Sequence, residues 1–248
     1  MTPAYTLIDT TQALSSLVSK LYGLEHSRPR LFVDLEGYDL SRNGRLALIT
    51  IYASPLAMVY LVDVTALGEA SFTTEGEDMP GKTLKSLLED KAIPKVLYDC
   101  RHDNDALFNL HDVDMRGVVD LQLMELATRR YPYRANVNGL ARTIRNYAGL
   151  SYRALIEWEE VKSFGKTIFE SGGPETPGLF EVRPLDKKVI EYSIQDTTIL
   201  PVLYDRFNRL IQPTWRRKVE EETSRRLQLA RQTDPNTFNR DAMKRGPW

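Results

Sequence analysis

Two acidic side chains stand one residue apart at the end of a short apolar run. Asp34 and Glu36 follow the residues 31–33 in the segment LFVDLEG. In a β-strand, side chains two positions apart project to the same face, so the two carboxylates would lie side by side. Like charges at that distance favour protonation unless a positive partner stabilises them, and a divalent cation is a natural partner. The same pattern also fits a strand that runs out into a polar loop, so further acids are needed to decide.

Three more carboxylates follow a later strand-like run in the chain. Asp99, Asp103 and Asp105 lie in the segment KVLYDCRHDNDALF, where a short strand is expected to pass into a helix. An acid near the start of that helix can cap it, or it can face a ligand beyond the strand ends. Asp103 has this position, and the segment alone leaves both interpretations open.

A tyrosine and an aspartate are spaced four residues apart in a later segment that predicts a long helix. Tyr192 and Asp196 would therefore lie on one helix face, with the phenol above the carboxylate. This spacing is common by chance. An acid pair at a strand end, an acid opening a later helix and this pair near the end of the domain together form a far more specific ordered set.

In this order the motifs resemble those of the 3′-to-5′ exonucleases named for four acids and a tyrosine (DEDDy), which have the ribonuclease H-like fold. VDLEG at 33–37 and KVLYDCRHD at 95–103 resemble the first two motifs. RPLDKKVIEYSIQDTTIL at 183–200 resembles the third motif as ribonuclease D-like enzymes carry it. Glu191, not a histidine, precedes Tyr192, which favours the tyrosine branch. Within the family, the motif sequences are most similar to those of eukaryotic exonuclease-domain proteins related to Egalitarian.

The resemblance implies a 3′-to-5′ exonuclease that hydrolyses single-stranded nucleic acid, RNA favoured over DNA, to nucleoside 5′-monophosphates. It implies two divalent cations, Mg²⁺ or Mn²⁺, held by Asp34, Glu36, Asp103 and Asp196. Tyr192 would position the attacking water, so these five residues are the predicted catalytic set. An oxygen-only ligand set suits these cations and disfavours zinc, which prefers histidine or thiolate.

A catalytically idle module is the alternative function. Some proteins related to Egalitarian have lost catalytic acids and act as RNA-binding adaptors, so the resemblance also allows a groove that binds RNA or a protein partner without cleavage. The survival of all four acids and the tyrosine in this chain favours the enzyme.

Hydrophobic patterns predict the elements that must position these residues. Strand-like runs at 31–36, 46–52 and 58–62, joined by short turns, predict an antiparallel meander. Alternating strand and helix patterns over 96–130 predict parallel packing. The predicted fold class is α/β, a ribonuclease H-like mixed sheet of an antiparallel meander plus parallel strands, flanked by helices.

The sequence also predicts one long helix at 185–210 and two irregular connections, at 68–80 and at 151–182. Residues 68–80 are rich in Gly, Thr and acids and predict a loop. Residues 151–182 hold Trp158 and Phe180 among glycines and prolines and predict a long irregular connection. Long loops in compact domains are usually functional or mobile, so this connection is a candidate for covering the substrate, although its rings could equally fill the core.

Length and composition set the remaining expectations. The 248 residues are 42% hydrophobic and 27% charged, which is typical of a globular protein. We expect an exonuclease domain at 1–212, followed at 213–248 by a charged helix and a flexible tail.

Charge and targeting signals limit the partners and the location. The formal net charge of −1 gives no overall field that would attract nucleic acid, so a local patch or metal ions must hold it. The single cysteine, Cys100, cannot form an internal disulfide. No signal peptide or membrane-spanning run is recognisable, which predicts a cytoplasmic or nuclear protein without a membrane partner and leaves its oligomeric state open.

Overall fold

The structure is a computed structural model that describes residues 4–130, 132–232 and 244–248. The strands are β1 (Tyr5–Ile8), β2 (Leu31–Tyr38), β3 (Arg45–Ala53), β4 (Met58–Asp63), β5 (Glu75–Gly76), β6 (Met79–Thr83), β7 (Lys95–Leu97) and β8 (Val118–Asp120). The α-helices are α1 (Thr11–Tyr22), α2 (Val64–Leu67), α3 (Ala70–Thr73), α4 (Leu84–Glu89), α5 (Arg101–His111), α6 (Leu121–Thr128), α7 (Leu140–Tyr147), α8 (Tyr152–Phe169), α9 (Lys187–Leu210) and α10 (Pro213–Gln232).

The main sheet is mixed, as the sequence predicted. Its strand order is β1-β4-β3-β2-β7-β8. Strand β3 pairs antiparallel with both β2 and β4, which forms the meander. Strand β7 pairs parallel with both β2 and β8, and β1 pairs parallel with β4. The carboxyl ends of β2, β7 and β8 therefore meet at one edge of the sheet, where ligand sites of open α/β sheets usually lie.

Alternation along β2 separates its apolar and acidic side chains. Leu31, Val33 and Leu35 are buried in the core that α1, α4 and α5 cover. Phe32 is buried in a second core on the opposite face, beneath α6, α7 and α9. Because side chains two apart share a face, Asp34 continues the row of Phe32. The acids of β2 thus project to the face that α9 covers.

A glycine lets β2 and β3 approach closely directly after the second acid. The pairing of β2 with β3 shifts register between Glu36 and Gly37. A Cβ atom on Gly37 would lie 1.9 Å from the carbonyl oxygen of Arg45. Only glycine fits this bulge, which ends the regular strand at the acid pair.

The two segments predicted to be irregular are largely regular in the structure. Residues 68–80 contain α3, β5 and the start of β6, so the loop prediction is wrong there. Residues 152–169 form the 18-residue helix α8, so the prediction for 151–182 is wrong over more than half of its length. Trp158 and Ile168 of α8 are buried, and this burial stabilises the helix despite its glycine.

The remaining irregular residues, 170–186, are fastened to the sheet. Arg45 of β3 donates to Glu181 Oε2 at 2.8 Å and to the Pro174 carbonyl oxygen at 2.7 Å. Phe180 is buried in a small core beside Tyr192. Trp158 and Phe180 are therefore buried in cores, which is the second of the two roles that the sequence left open for them.

Helix α10 lies where the charged helix was expected, within 213–248, and it packs against α5, α6 and β8. Of the expected flexible tail, residues 233–243 lie outside the described part of the chain. Trp248 packs against Trp215 of α10 with ring centroids 5.3 Å apart. The division into a domain at 1–212 and a separate C-terminal part stays a prediction.

Within the described ranges, no helix has both the length and the apolar character needed to cross a bilayer. The cytoplasmic or nuclear location stays a prediction.

Candidate active site

Strand β2 and helix α9 bring four of the five predicted catalytic residues to one cavity. Asp34, Glu36, Tyr192 and Asp196 line a cavity of about 220 Å³. Helix α9 begins after Asp186, whose carboxylate accepts from the Lys188 backbone N–H at 2.7 Å. Its apolar side chains then pack on the sheet, which fixes the helix face that carries the tyrosine and the aspartate. The i, i+4 spacing thus acts as the sequence predicted.

The fifth residue, Asp103, reaches the same place from the turn between β7 and α5. Strand β7 pairs with β2 only through Lys95 and Val96, so β2 extends beyond it. Asp99 in the turn has a φ of 66°, and its N–H donates to Asp120 Oδ1 at 3.1 Å. This turn directs α5 so that Asp103, in the first helical turn, is buried close enough to Asp34 for the charges to interact.

The other two acids of the same segment have partners elsewhere. Both Asp105 oxygens accept from Arg42, including Arg42 Nη2 at 2.7 Å. Asp99 accepts from Arg101 Nε at 2.6 Å. Of the three candidate acids, Asp103 is therefore the one that faces the cluster at β2.

Burial makes the clustered carboxylates costly to ionise. Burial, followed by the charge of Asp196, raises the pKa of Asp34 to about 7. Burial and the charge of Asp34 raise the pKa values of Glu36 and Asp103 well above their ordinary range. Burial also raises the pKa of Asp196, although a neighbouring lysine opposes the shift. The cluster therefore favours any cation that can reach it.

Lys162 of α8 is a member of the cluster that the sequence analysis did not identify. Its ammonium donates to Asp196 Oδ2 and, at 2.9 Å, to the Tyr192 hydroxyl. Burial lowers the pKa of Lys162, but Asp196 and then Tyr192 raise it above its ordinary value, so the lysine is charged. The helical spacing of Trp158, Val161 and Ile168 is the sequence signal that could have placed Lys162 on an ordered element.

Tyr192 is held as a neutral phenol. Its side chain is buried in a core with Phe180, and the Lys162 ammonium lies 4.2 Å from its ring centroid. Burial and the charge of Glu36 raise its pKa above the usual value near 10. A phenol in this state can orient a water molecule by hydrogen bonding but does not act as a base at neutral pH.

The donor atoms fit a hard divalent cation. Glu36 Oε1 and Asp196 Oδ1 are buried oxygens for which the described residues supply no hydrogen-bond partner. Carboxylate oxygens are the ligands that Mg²⁺ and Mn²⁺ prefer. As the side chains stand, no three Asp, Glu, His or Cys residues in the described ranges converge closely enough to hold a metal ion. The Lys162 ammonium contacts Asp196 where a metal ion would bind. The side chains of Asp34, Glu36 and Asp196 must therefore move toward one another to share a cation.

The chain is similar to a known protein family and, over part of its length, to curated relatives. Residues 5–212 match a family model described as 3′-5′ exonuclease. The piRNA biogenesis protein EXD1 of Mus musculus is 26% identical over 174 residues, which are 68% of this chain and 27% of that protein. The Homo sapiens EXD1 protein is 31% identical over 96 residues, 39% of this chain and 17% of that protein. The matches thus span about a quarter or less of these relatives' own length.

Solved structures of other proteins share the fold. Trypanosoma brucei RNase D in complex with RNA U12 superposes with a TM-score of 0.73 and 23% identity, covering 98% of this chain and 76% of that one. Escherichia coli RNase D superposes with a TM-score of 0.63 and 19% identity, covering 92% of this chain and 51% of that one. Brucella melitensis NrnC with bound Mg²⁺ superposes with a TM-score of 0.53 and 15% identity, covering 93% of this chain and 90% of that one. The predicted mixed sheet flanked by helices is confirmed, and it matches the RNase D structures. The tyrosine branch and the relation to Egalitarian stay predictions.

Proposed function

From the premise that this chain belongs to the 3′-5′ exonuclease family, we propose that it is a metal-dependent enzyme. It hydrolyses single-stranded nucleic acid from the 3′ end, RNA in preference to DNA, and releases nucleoside 5′-monophosphates. The observation that carries the proposal is the shared cavity of Asp34, Glu36, Tyr192 and Asp196, with Asp103 beside it.

Within this proposal, the resemblance to the exonuclease family assigns the metal ligands. Asp34, Glu36 and Asp196 would hold one divalent ion, and Asp34 and, directly or through water, Asp103 would hold a second. Such ions stabilise negative charge on a phosphate and lower the pKa of a water molecule. The two buried oxygens of Glu36 and Asp196 without hydrogen-bond partners among the described residues support this assignment.

The protein's own part in the reaction is orientation and charge. The neutral phenol of Tyr192 would hold the attacking water by one hydrogen bond. The water would donate a second hydrogen bond to the Glu36 carboxylate. The buried ring fixes the direction of that hydroxyl, because Phe180 packs 6.2 Å away centroid to centroid. A water held in line with the scissile bond reacts faster because its orientation is already fixed before the transition state.

The preference for a single strand and for RNA rests on two further arguments. A 3′ end must enter a cavity between β2 and α9, and a duplex end enters only after it frays. The RNA U12 complex of the structurally similar Trypanosoma brucei RNase D supports RNA as the substrate class.

A second function has one observation in its favour. Lys162 supplies the acids with a positive charge from within the protein. A cluster neutralised in this way could persist in an adaptor that binds RNA, or a protein partner, without cleaving it.

A labelled-strand assay tests the proposal against the adaptor. The purified chain is incubated with 3′-labelled and 5′-labelled single-stranded RNA and DNA in Mg²⁺, Mn²⁺ or EDTA, beside Asp34→Asn as the metal-ligand variant. We expect metal-dependent release of mononucleotides from the 3′ end of RNA by the wild type alone. Tight binding without cleavage in either metal would favour the adaptor, and internal cuts would contradict both functions.

A further inference from the structure

We propose that Lys162 is a positioning residue that takes the place of a divalent cation in the metal-free site and competes with that cation for Asp196. This inference rests on the proposed metal-dependent function, and it assigns to α8 a role in metal binding that the acids alone do not explain.

The contacts of the ammonium are those expected of a cation substitute. Lys162 Nζ donates to Asp196 Oδ2 and to the Tyr192 hydroxyl, with the second distance 2.9 Å. Only 28% of its side chain is exposed, and only 7% of that of Asp196. The pair thus lies within the site and not on the outer surface, where ion pairs contribute little.

Competition follows because both cations need the same carboxylate. One Asp196 oxygen accepts from Lys162, while the other is buried without a hydrogen-bond partner in the described residues. A divalent ion at Glu36 and Asp196 would place a second positive centre beside the ammonium. Two cations that share one carboxylate repel each other, so the ammonium must leave Asp196 or weaken the binding of the ion.

The charge balance shows why the ammonium does not make the ion unnecessary. Asp34, Glu36, Asp103 and Asp196 carry four negative charges when ionised, and Lys162 offsets one of them, which leaves three. A single ammonium therefore stabilises the cluster only in part. The charge that remains on the ionised cluster must be offset by protons or by a divalent ion.

Packing fixes the helix that delivers the lysine. Gly165 lies one turn after Lys162, and a Cβ atom there would lie 2.5 Å from Cε2 of Tyr192. The backbone of α8 therefore rests directly on the tyrosine ring. Trp158 and Ile168 anchor the helix in two separate cores on either side of this contact. The backbone of Lys162 is thus held in place, and only its side chain is free to leave Asp196 when a metal ion binds.

Removing the ammonium should tighten metal binding and weaken the metal-free fold. In Lys162→Met the buried Asp196 loses its partner, so we expect a lower unfolding temperature in EDTA. We expect Mn²⁺ to bind about tenfold more tightly than to the wild type, which corresponds to about 1.4 kcal/mol of relieved competition. Lys162→Arg keeps a positive charge and should retain the weaker wild-type affinity.

Titration of the 248-residue chain with Mn²⁺ alone, followed by electron paramagnetic resonance of the free ion, measures the affinity. The matched control is Lys188→Met on α9, because Lys188 is exposed and its ammonium lies 5.2 Å from the Phe164 ring centroid. This control should bind Mn²⁺ as the wild type does. Lys162→Gln provides a second neutral side chain that can still hydrogen bond, and it should also bind Mn²⁺ more tightly.

The outcomes separate this inference from the proposed function. Tighter Mn²⁺ binding by both neutral variants, together with a lower unfolding temperature in EDTA, supports the competition. Equal or weaker binding by the neutral variants, with wild-type binding that Asp34→Asn abolishes, overturns the competition and leaves the metal-dependent function in place. Absence of Mn²⁺ binding in the wild type and in every Lys162 variant overturns both.

Discussion

At the level of single residues, the clustered carboxylates repel one another when they are ionised. Asp34 and Glu36 share one face of β2, and the burial that raises their pKa values also keeps water from screening them. Such an arrangement destabilises the metal-free fold and favours cation binding. The same property that prepares the site for metal ions should therefore be measurable as a loss of stability without them.

Asp34→Asn is expected to raise the unfolding temperature in EDTA at pH 7.5 and to abolish hydrolysis. Burial and the charge of Asp196 raise the pKa of Asp34 from 3.8 to about 7. Between these two pH values the folded protein holds a proton on Asp34 that the unfolded chain has released. The stability contributed by that proton is complete below about pH 4 and is lost as the pH rises through about 7. Unfolding followed by circular dichroism from pH 5 to pH 8 should show a steeper decline for the wild type.

Asp39→Asn is the matched control, because Asp39 is exposed and follows β2 directly. It should reproduce the wild-type pH dependence and activity. If Asp34→Asn and the wild type instead decline in parallel, Asp34 does not belong to the charge-coupled cluster.

At the scale of elements, the sequence predicted what depends on local pattern. The apolar run before Asp34 and the i, i+4 pair of α9 predicted the elements that bring four candidate residues to one cavity. The segment alone left the roles of Asp99, Asp103 and Asp105 open, and only the family resemblance selected Asp103. The structure gives the physical reason for the difference, because arginines neutralise the other two. One of those, Arg42, lies far away in the chain and meets Asp105 only in the fold.

Helix α8 was missed for a related reason. Gly165 and the glycines and prolines after 170 suggested a loop, whereas the helix is stabilised by tertiary burial of side chains such as Trp158. Tertiary packing often overrides weak intrinsic propensity. Lys162 was missed with its helix, since a lysine on an unrecognised element gives no sign of facing a carboxylate.

The contact of α8 with the tyrosine gives a test at this scale. In Gly165→Ala a methyl group would lie 2.5 Å from the buried Tyr192 ring. Overpacking costs about 1 to 3 kcal/mol, which exceeds the gain of up to about 1 kcal/mol from alanine's better helix propensity. We expect urea denaturation to show a lower free energy of unfolding, and turnover to fall because the hydroxyl is displaced.

Gly173→Ala controls for the substitution itself, since a Cβ atom at Gly173 meets nothing within 4 Å and its φ is not in the left-handed region. Its stability should stay close to that of the wild type. A Gly165→Ala protein as stable and as active as this control would show that α8 can move away from Tyr192 without consequence.

At the scale of the whole molecule, α10 completes the support behind the site although it lies beyond residues 5–212 that match the family. Arg226 of α10 is buried, and its Nη1 donates to Asp120 Oδ2 at 2.8 Å and to Gln122 Oε1 at 2.9 Å. It also lies 3.4 Å from Asp99 Oδ1. The guanidinium thus neutralises acids at the ends of β7 and β8, in the turn that directs α5.

Arg226→Met is therefore expected to destabilise the entire fold, not only its C-terminal helix. Asp120 is fully buried, so loss of its partner leaves an uncompensated charge, which costs about 3 to 5 kcal/mol. The turn at Asp99 would lose the same support, and Asp103 on α5 would lose its fixed place beside Asp34. Denaturant unfolding should show one cooperative transition at lower denaturant, and exonuclease turnover should fall with it.

Arg225→Met, one residue earlier on α10, separates this support from a general effect of removing an arginine. The Arg225 side chain is 57% exposed and pairs with Glu222 on the same helix, and such exposed pairs contribute roughly 0 to 1 kcal/mol. We expect near wild-type stability and turnover for this variant. If Arg226→Met matches it in both measurements, α10 is an appendage and the division at residue 212 describes the protein. If Arg226→Met alone loses stability and activity together, the folding unit includes α10, because the charge that holds the α5 turn comes from there.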